Sequence, residues 1–333
     1  MAEAAALKLL LLGSSGQVGA EWRRLLGADP QGRDERWTVS MPASTSERAI
    51  HLEVLAPSRS TTDLADPEGL RVWVKAHAPD IIVNAAAYTA VDRAESEPAL
   101  ARAVNATSPT VLAEVAQASG ACLLHYSTDY VFEGLGQRAY REDDPVHPLS
   151  VYGLTKAEGE AGIRQHLARH LILRTSWVMG VHGGNFLKTM LRLAAERDRL
   201  RVVGDQVGVP TPARMLAQLG WHALQRCLHA EWQGEPPGTP APWGLYHLAP
   251  RGETNWFEYA CFVMGMAQAR GWSLKAGPGQ IEPITTAEYP TPARRPANSR
   301  LDCTRFARTF EVLPPTWQEG VLATLDELKA MTS

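Results

Sequence analysis

Tyr152 and Lys156 stand four residues apart in SVYGLTKAEGE, downstream of Ser127-Thr128-Asp129 in the single stretch HYSTDYVFEGLGQRAYREDDPVHPLSVYGLTK. That set is suited to moving a proton onto or off a carbonyl oxygen. A free tyrosine has a pKa of about 10 and is sluggish near neutrality unless its anion is stabilised. On a helix the spacing of four puts Tyr152 and Lys156 on one face, where an ammonium lowers the phenol pKa by charge proximity. The same spacing also arises on ordinary helix surfaces, so the reading depends on its surroundings.

The amino terminus supplies them. Residues 7–19, LKLLLLGSSGQVG, are an apolar run followed by Gly13-x-x-Gly16-x-x-Gly19. A buried strand, a glycine turn and a helix are what a dinucleotide site requires. The first glycine allows the tight turn, the second lets backbone N–H groups approach a pyrophosphate, and the third lets helix and strand pack closely. The GxxGxxG spacing with Tyr-x-x-x-Lys downstream resembles the short-chain dehydrogenase/reductase superfamily.

Strand-like and helix-like segments alternate along the chain: Ile81-Ile82-Val83 after a helical pattern over 69–78, 121–126 after the helical 109–119, and 170–175 after the helix carrying Lys156. Repeated alternation predicts a doubly wound parallel α/β sheet of Rossmann type. Ligands bind beyond the carboxyl ends of such strands. Gly13, the Asn84-to-Ala87 run, Ser127-Thr128-Asp129 and Thr175-Ser176-Trp177 all fall at strand ends and converge on one cleft. Residues 29–48 are polar and turn-rich and read as a surface excursion before the second strand. Residues 233–242, QGEPPGTPAP, read as a linker.

The 333 residues exceed the usual size of one domain, and 45% hydrophobic with 21% charged residues is ordinary for a soluble globular chain. A net charge of −3 argues against nucleic-acid or membrane-surface partners. Cys122, Cys227, Cys261 and Cys303 form no C-x-x-C pair and read as reduced thiols, so a cytoplasmic location is expected. The run Leu7–Leu12 is too short for a membrane span and reads as the first strand.

If the second strand is Ile50–Leu55, Arg59 follows where a 2′-phosphate would be held, favouring NADPH with NADH as the alternative. A solvated loop arginine is the competing reading. Asp63 and Leu64 come next, as contacts for the adenine edge.

The blocks GSSGQVG, DIIVNAAAYTAVDRAESEP, HYSTDYVFEG, PLSVYGLTKAEGE, LRTSWVMG, VVGDQVGVPT and YPTPARRPANSRLD resemble the dTDP-4-dehydrorhamnose reductase family over nearly the whole chain. The resemblance implies reduction of the C4 ketone of dTDP-4-dehydro-β-L-rhamnose by NAD(P)H. It implies Tyr152 as proton donor, Lys156 as the group that lowers its pKa and binds the nicotinamide ribose, and Thr128 as the hydroxyl on the carbonyl oxygen. Asp129 and Trp177 would contact the sugar. Gly16, Gln17 and Val18, with Gly13 and Gly19, would hold the phosphates; Ala87, Tyr88, Thr89 and Tyr126 would lie on the nicotinamide side. Arg174, Arg294 and Arg295 are candidates for the diphosphate, and Asn185-Phe186 for the sugar pocket.

The domains expected are a dinucleotide-binding one over 1–176, rejoined by 211–249, and a smaller α/β nucleotide-sugar domain over 177–210 and 250–333. Some family members use a magnesium ion at a dimer interface through glutamates. Glu21 is one counterpart here, but no required metal is expected, and a homodimer is left open. His166-x-x-x-His170 has zinc-like spacing without a third ligand. Two other readings stay in view: a dinucleotide-binding regulatory subunit resembling that of methionine adenosyltransferase, and another nucleotide-sugar epimerase or dehydratase. Tyr130 after Asp129, where dehydratases carry a second acid, speaks against dehydration.

Overall fold

The structure, a computed structural model, describes residues 6–42, 49–233 and 240–332. In chain order the strands are β1 (Leu7–Leu12), β2 (Arg36–Met41), β3 (Ile50–Leu55), β4 (Ile81–Asn84), β5 (Cys122–Thr128), β6 (His170–Thr175), β7 (Val178–Met179), β8 (Leu200–Val203), β9 (Val207–Gly208), β10 (Thr211–Pro212), β11 (Gly244–His247), β12 (Thr254–Asn255) and β13 (Ile281–Ile284). The helices are α1 (Gln17–Leu25), α2 (Pro67–His77), α3 (Val91–Ala94), α4 (Pro98–Arg102), α5 (Ser108–Ser119), α6 (Val151–His166), α7 (Phe186–Glu196), α8 (Ala213–Gln233), α9 (Trp256–Ala269), α10 (Thr304–Thr309) and α11 (Trp317–Thr332).

Among the described residues, seven strands form one sheet in the order β2-β3-β1-β4-β5-β6-β11, parallel throughout except for β2. The order reverses at β1, between β3 and β4. That reversal opens a crevice at the strand ends, the usual place for a nucleotide in such sheets. Register brings the ends level, with Leu12 opposite Asn84, Asn84 opposite His125 and Thr128 opposite Thr175.

Period-two alternation, with a layer packed on each face, explains why β1 is apolar from Leu9 to Leu12. Leu9 and Leu11 face a layer built from α1 and α8, including Trp22, Leu216 and Trp221. Leu10 and Leu12 face the other layer, with Leu70 and Val74 of α2, Leu112 of α5 and Ile163 of α6. Local signals set the helix starts: Asp66 Oδ1 accepts from Gly69 N (3.1 Å) ahead of Pro67, and Ser150 Oγ accepts from Gly153 N (3.2 Å). A further apolar cluster joins α7, α9 and α11 with β8 and β13 through Leu187, Tyr259, Val263, Ile281 and Leu325. Phe306 and Phe310, within and just after α10, pack against Tyr246 in the sheet's core, apart from that cluster.

The turn-rich stretch 29–48 is not simply a surface excursion. It contains β2, which runs antiparallel to β3 from Arg36↔Leu55 to Met41↔Ile50, so Ile50–Leu55 is the third strand and the sheet is mixed. The physical reason is an alternation short enough to be hidden among turn residues: Trp37, Val39 and Met41 face inward while the residues between them are exposed. Residues 43–48 of that stretch, and 234–239 of the linker, lie outside the described residues.

Candidate active site

The glycine turn follows directly from β1. Gly13 has φ +76°, and a Cβ there would lie 2.5 Å from Ala86 N, so the close approach of this turn to the end of β4 requires glycine. Gly19 packs α1 onto the turn, where a Cβ would stand 2.0 Å from Gly13 O. Gly16 is the N-cap of α1 and offers no side-chain cap, so the first N–H groups of that nine-residue helix remain available to an anion.

A cleft of about 1040 Å³ runs from this turn along the strand ends. Gly13, Gly16, Gln17 and Val18 line one part of it, Arg59, Asp63 and Leu64 another, and Ala87, Tyr88, Thr89, Tyr152 and Lys156 a third. Gly19 acts behind the turn as packing. The volume, the cradle that a Cβ would fill and the helix end fit a nicotinamide dinucleotide. Tyr88 is fixed through its backbone: its N–H donates to Asn105 Oδ1 (2.8 Å), and Asn105 Nδ2 donates to its carbonyl (3.1 Å). Asn105 sits in a π-helical turn, Ala103–Thr107, and was not singled out from sequence.

Helix α6 brings Tyr152 and Lys156 to the cleft. Gly153 allows the helix to touch the turn after β5, since a Cβ would lie 2.1 Å from Tyr130 O. Tyr152 packs edge-on against Tyr130 (5.4 Å, 75°), and its hydroxyl lies near that of Thr128. Thr128 Oγ1 also contacts Asp129 Oδ1 (3.1 Å) and accepts from Tyr130 N (3.2 Å). Burial raises the Tyr152 phenol above its ordinary value, and the Lys156 amine makes its hydrogen bonds to other groups. The lysine donates to Tyr126 O (2.6 Å) and meets His125 Nε2 (3.0 Å). Burial pushes Lys156 down to about 8.

His125, absent from the sequence-based set, shapes that lysine. Ala86 N donates to Asn84 Oδ1 (3.1 Å), which turns the amide nitrogen toward His125 Nδ1 (3.1 Å). The neutral imidazole then carries its proton on Nε2, facing Lys156. An uncharged amine accepts that hydrogen bond and an ammonium does not, so the contact and burial act in the same direction. Burial, with the charge of Lys156, holds His125 itself well below the ordinary imidazole value.

Asp129 is buried, with Oδ2 lacking a hydrogen-bond partner, and burial pushes its carboxyl up to about 7. Thr175 Oγ1, at the end of β6 and on the cleft wall, is likewise buried and unpartnered. Trp177 adopts φ +45°, a strained conformation for a bulky residue, and stacks on Trp256 at 3.6 Å. The face of Gly208 lies against its ring.

Several expectations change. Tyr126 lines the cleft, but its phenol accepts from Trp22 Nε1 (2.8 Å) and donates to Leu216 O (2.8 Å) in the α1–α8 layer, while its carbonyl anchors Lys156. Arg174 is unavailable to a diphosphate because its buried guanidinium pairs with Glu160 (2.6 Å). Arg295 is bound to Asp92 (2.7 Å) and Tyr130 OH (3.3 Å), and Arg294 is exposed. Asn185 caps α7 and joins Gln17 Oε1 (2.9 Å), tying the glycine turn to the loop after β7. His166 and His170 do not converge; one approaches Glu114 and the other Leu167 O.

A divalent cation does not fit at Glu21. Its buried carboxylate is held by Arg214 Nε (3.2 Å) and Arg24 (3.5 Å) with His182 at 3.8 Å, and the same two arginines pair with Glu327. Guanidinium groups already supply the positive charge between these acids. Among the described residues no group of three or more His, Cys, Asp or Glu is disposed to hold a metal, and no helix is long and apolar enough to cross a membrane.

A Rossmann-type sheet with a glycine turn at its switch point and Thr128, Tyr152 and Lys156 at the neighbouring strand end defines an extended short-chain dehydrogenase/reductase. Residues 7–330 match the RmlD substrate binding domain family. The chain is 42% identical over 327 residues to the dTDP-4-dehydrorhamnose reductase of Escherichia coli K12, covering 98% of this chain and 100% of that one. Identity to the Burkholderia thailandensis enzyme of the same name is 38%, covering 95% and 97%. The crystal structure of the Clostridium acetobutylicum reductase superposes with a TM-score of 0.78 at 30% identity, covering 97% of this chain and 100% of that chain. The Bacillus anthracis reductase in complex with NADP gives 0.77 at 28%, with the same coverages. The chain belongs to the dTDP-4-dehydrorhamnose reductase family.

Proposed function

We propose that this protein reduces the C4 ketone of dTDP-4-dehydro-β-L-rhamnose to dTDP-β-L-rhamnose with a nicotinamide cofactor. The carrying observation is that Tyr152, close to Thr128, and Lys156 line the same cleft as the glycine turn. Bound there, the cofactor supplies the hydride.

The chain's own residues manage the oxygen. Hydride arrival at C4 builds negative charge on that oxygen, so donors aimed at it favour the transition state over the ground state. Tyr152, protonated over the physiological range because burial raises its pKa, gives the proton, and Thr128 holds the oxygen in line. Lys156, charged below about pH 8, supplies the positive field in which a phenolate is tolerable. Asp129, with its unpartnered oxygen, and Trp177 receive the sugar. Gly13, Gly16, Gln17 and Val18 hold the cofactor phosphates, and Ala87, Tyr88 and Thr89 the nicotinamide side. NADPH is the cofactor favoured by Arg59, with NADH as the alternative.

We assign residues 1–176 and 211–249 to a dinucleotide-binding domain and 177–210 with 250–333 to a nucleotide-sugar domain, with the segment around Phe306 and Phe310 packed back on the former. Purified protein given dTDP-4-dehydrorhamnose is expected to oxidise one nicotinamide per ketone lost, followed by absorbance and by chromatography of the product. Cofactor binding without turnover would overturn the enzymatic reading and leave a dinucleotide-binding regulatory protein.

A further inference from the structure

The adenosine end of the cleft holds a carboxylate where the strand sequence offers none. In Rossmann folds the ribose of a cofactor without a 2′-phosphate is hydrogen-bonded by an acid near the end of the second parallel strand, and an arginine nearby accommodates a 2′-phosphate. Here β3 is that strand, and it ends in Leu55-Ala56-Pro57-Ser58 with no acid. Glu35 fills the gap from a different direction. It precedes β2, lines the cleft, and accepts from Ser58 N (3.0 Å) and Thr61 Oγ1 (3.2 Å).

The arm that carries Glu35 is built to hold it there. Its carbonyl accepts from Ala56 N (2.8 Å), which extends the β2–β3 pairing to the cleft edge. The buried Arg23 of α1 donates to Asp29 O (2.8 Å) and Asp34 O (2.8 Å) and lies 5.0 Å from the Trp37 ring centre, fixing both ends of the arm. Hydrogen bonds from the Ser58 side chain and backbone keep the Glu35 carboxyl below its ordinary value, so it is charged at neutral pH. Opposing it, Arg33 and Arg59 also line this end, with Arg59 Nε 3.4 Å from Asp63.

We propose that Glu35 is the residue that reads the 2′ position of the cofactor, accepting from the ribose hydroxyls of NADH and repelling the 2′-phosphate of NADPH, against the pull of Arg59. The Ser58 N–H that a phosphate would use is already engaged by this carboxylate, so Glu35 lowers the preference for NADPH both by charge and by occupying a donor. The inference rests on reading the cleft as a dinucleotide site. It explains a function for an arm that adds an antiparallel edge to an otherwise parallel sheet.

The test is the binding of NADH and NADPH, followed by nicotinamide fluorescence without any sugar, to the full-length protein and to Glu35→Gln, which keeps the side chain's shape. The ratio of Kd for NADPH to Kd for NADH is expected to fall about tenfold, the size of one charge-assisted hydrogen bond. Arg59→Ala is expected to move the ratio the opposite way. An unchanged ratio in Glu35→Gln, or equal weakening of both cofactors, would overturn the inference while leaving the dinucleotide site intact. Failure of the unsubstituted protein to bind either cofactor would overturn both.

Discussion

Tyr152→Phe is expected to lower kcat by about 10²–10⁴, the usual worth of a positioned general acid. The substitution removes one hydroxyl and leaves the ring, so the edge-on packing against Tyr130 at 5.4 Å is retained and the fold should be unaffected. Thr128 keeps its contacts with Asp129 Oδ1 and Tyr130 N and still approaches the carbonyl oxygen. What is lost is the proton, needed only as the alkoxide forms, so the deficit belongs in kcat while nucleotide-sugar binding stays near its original strength. Steady-state kinetics with a parallel binding titration checks this. A kcat within a few-fold of the unsubstituted protein would remove Tyr152 from the mechanism.

Lys156→Met is expected to lower kcat by about 10²–10³, the scale of one lost preorganised electrostatic contact. It also changes the pH response. With Lys156 near 8, kcat of the unsubstituted protein is expected to fall as pH rises through that value, because the ammonium disappears while Tyr152 remains protonated. In Lys156→Met that fall should be absent. Stability has its own sign. The folded pKa of about 8 lies below the unfolded value of about 10.4, so between the two the unfolded chain binds more protons and stability rises with pH. Below pH 8 the buried ammonium costs desolvation energy, and methionine relieves that cost while forfeiting the bonds to Tyr126 O and His125. Thermal unfolding at pH 7 and pH 9.5 should therefore differ less in the variant, whereas an unchanged pH dependence of both kcat and Tm would show that another group titrates.

Much of this site could be read from sequence because strand ends and glycine turns are local signals. The apolar β1, the turn at Gly13 and the helix start before Tyr152 each announce themselves within a few residues. Side-chain direction is also encoded, and here parity was the overlooked clue. Tyr126 shares its face of β5 with Leu124, toward α8, so its phenol lies in the core, while His125 and Ser127 face α6 and meet Lys156 and Glu160. Arg174 follows the same rule: it shares a face with Ile172 and ends on Glu160. Other features were beyond a local reading. The strand β2 is defined by its pairing with β3, the stack of Trp177 on Trp256 joins distant segments, and the role of Glu35 depends on Arg23 holding an arm from another element.

The fold itself is shared by enzymes of different chemistry. Architecture therefore does not decide between reduction and dehydration, and the atom that receives hydride does. The most direct measurement is turnover of dTDP-4-dehydrorhamnose with nicotinamide cofactor deuterated at its transferring position, with the product examined by NMR. One deuterium bound to C4 of the rhamnosyl ring, in one configuration, is the predicted result. Oxidation of the cofactor with deuterium on another carbon, or product formed without deuterium, would contradict the account.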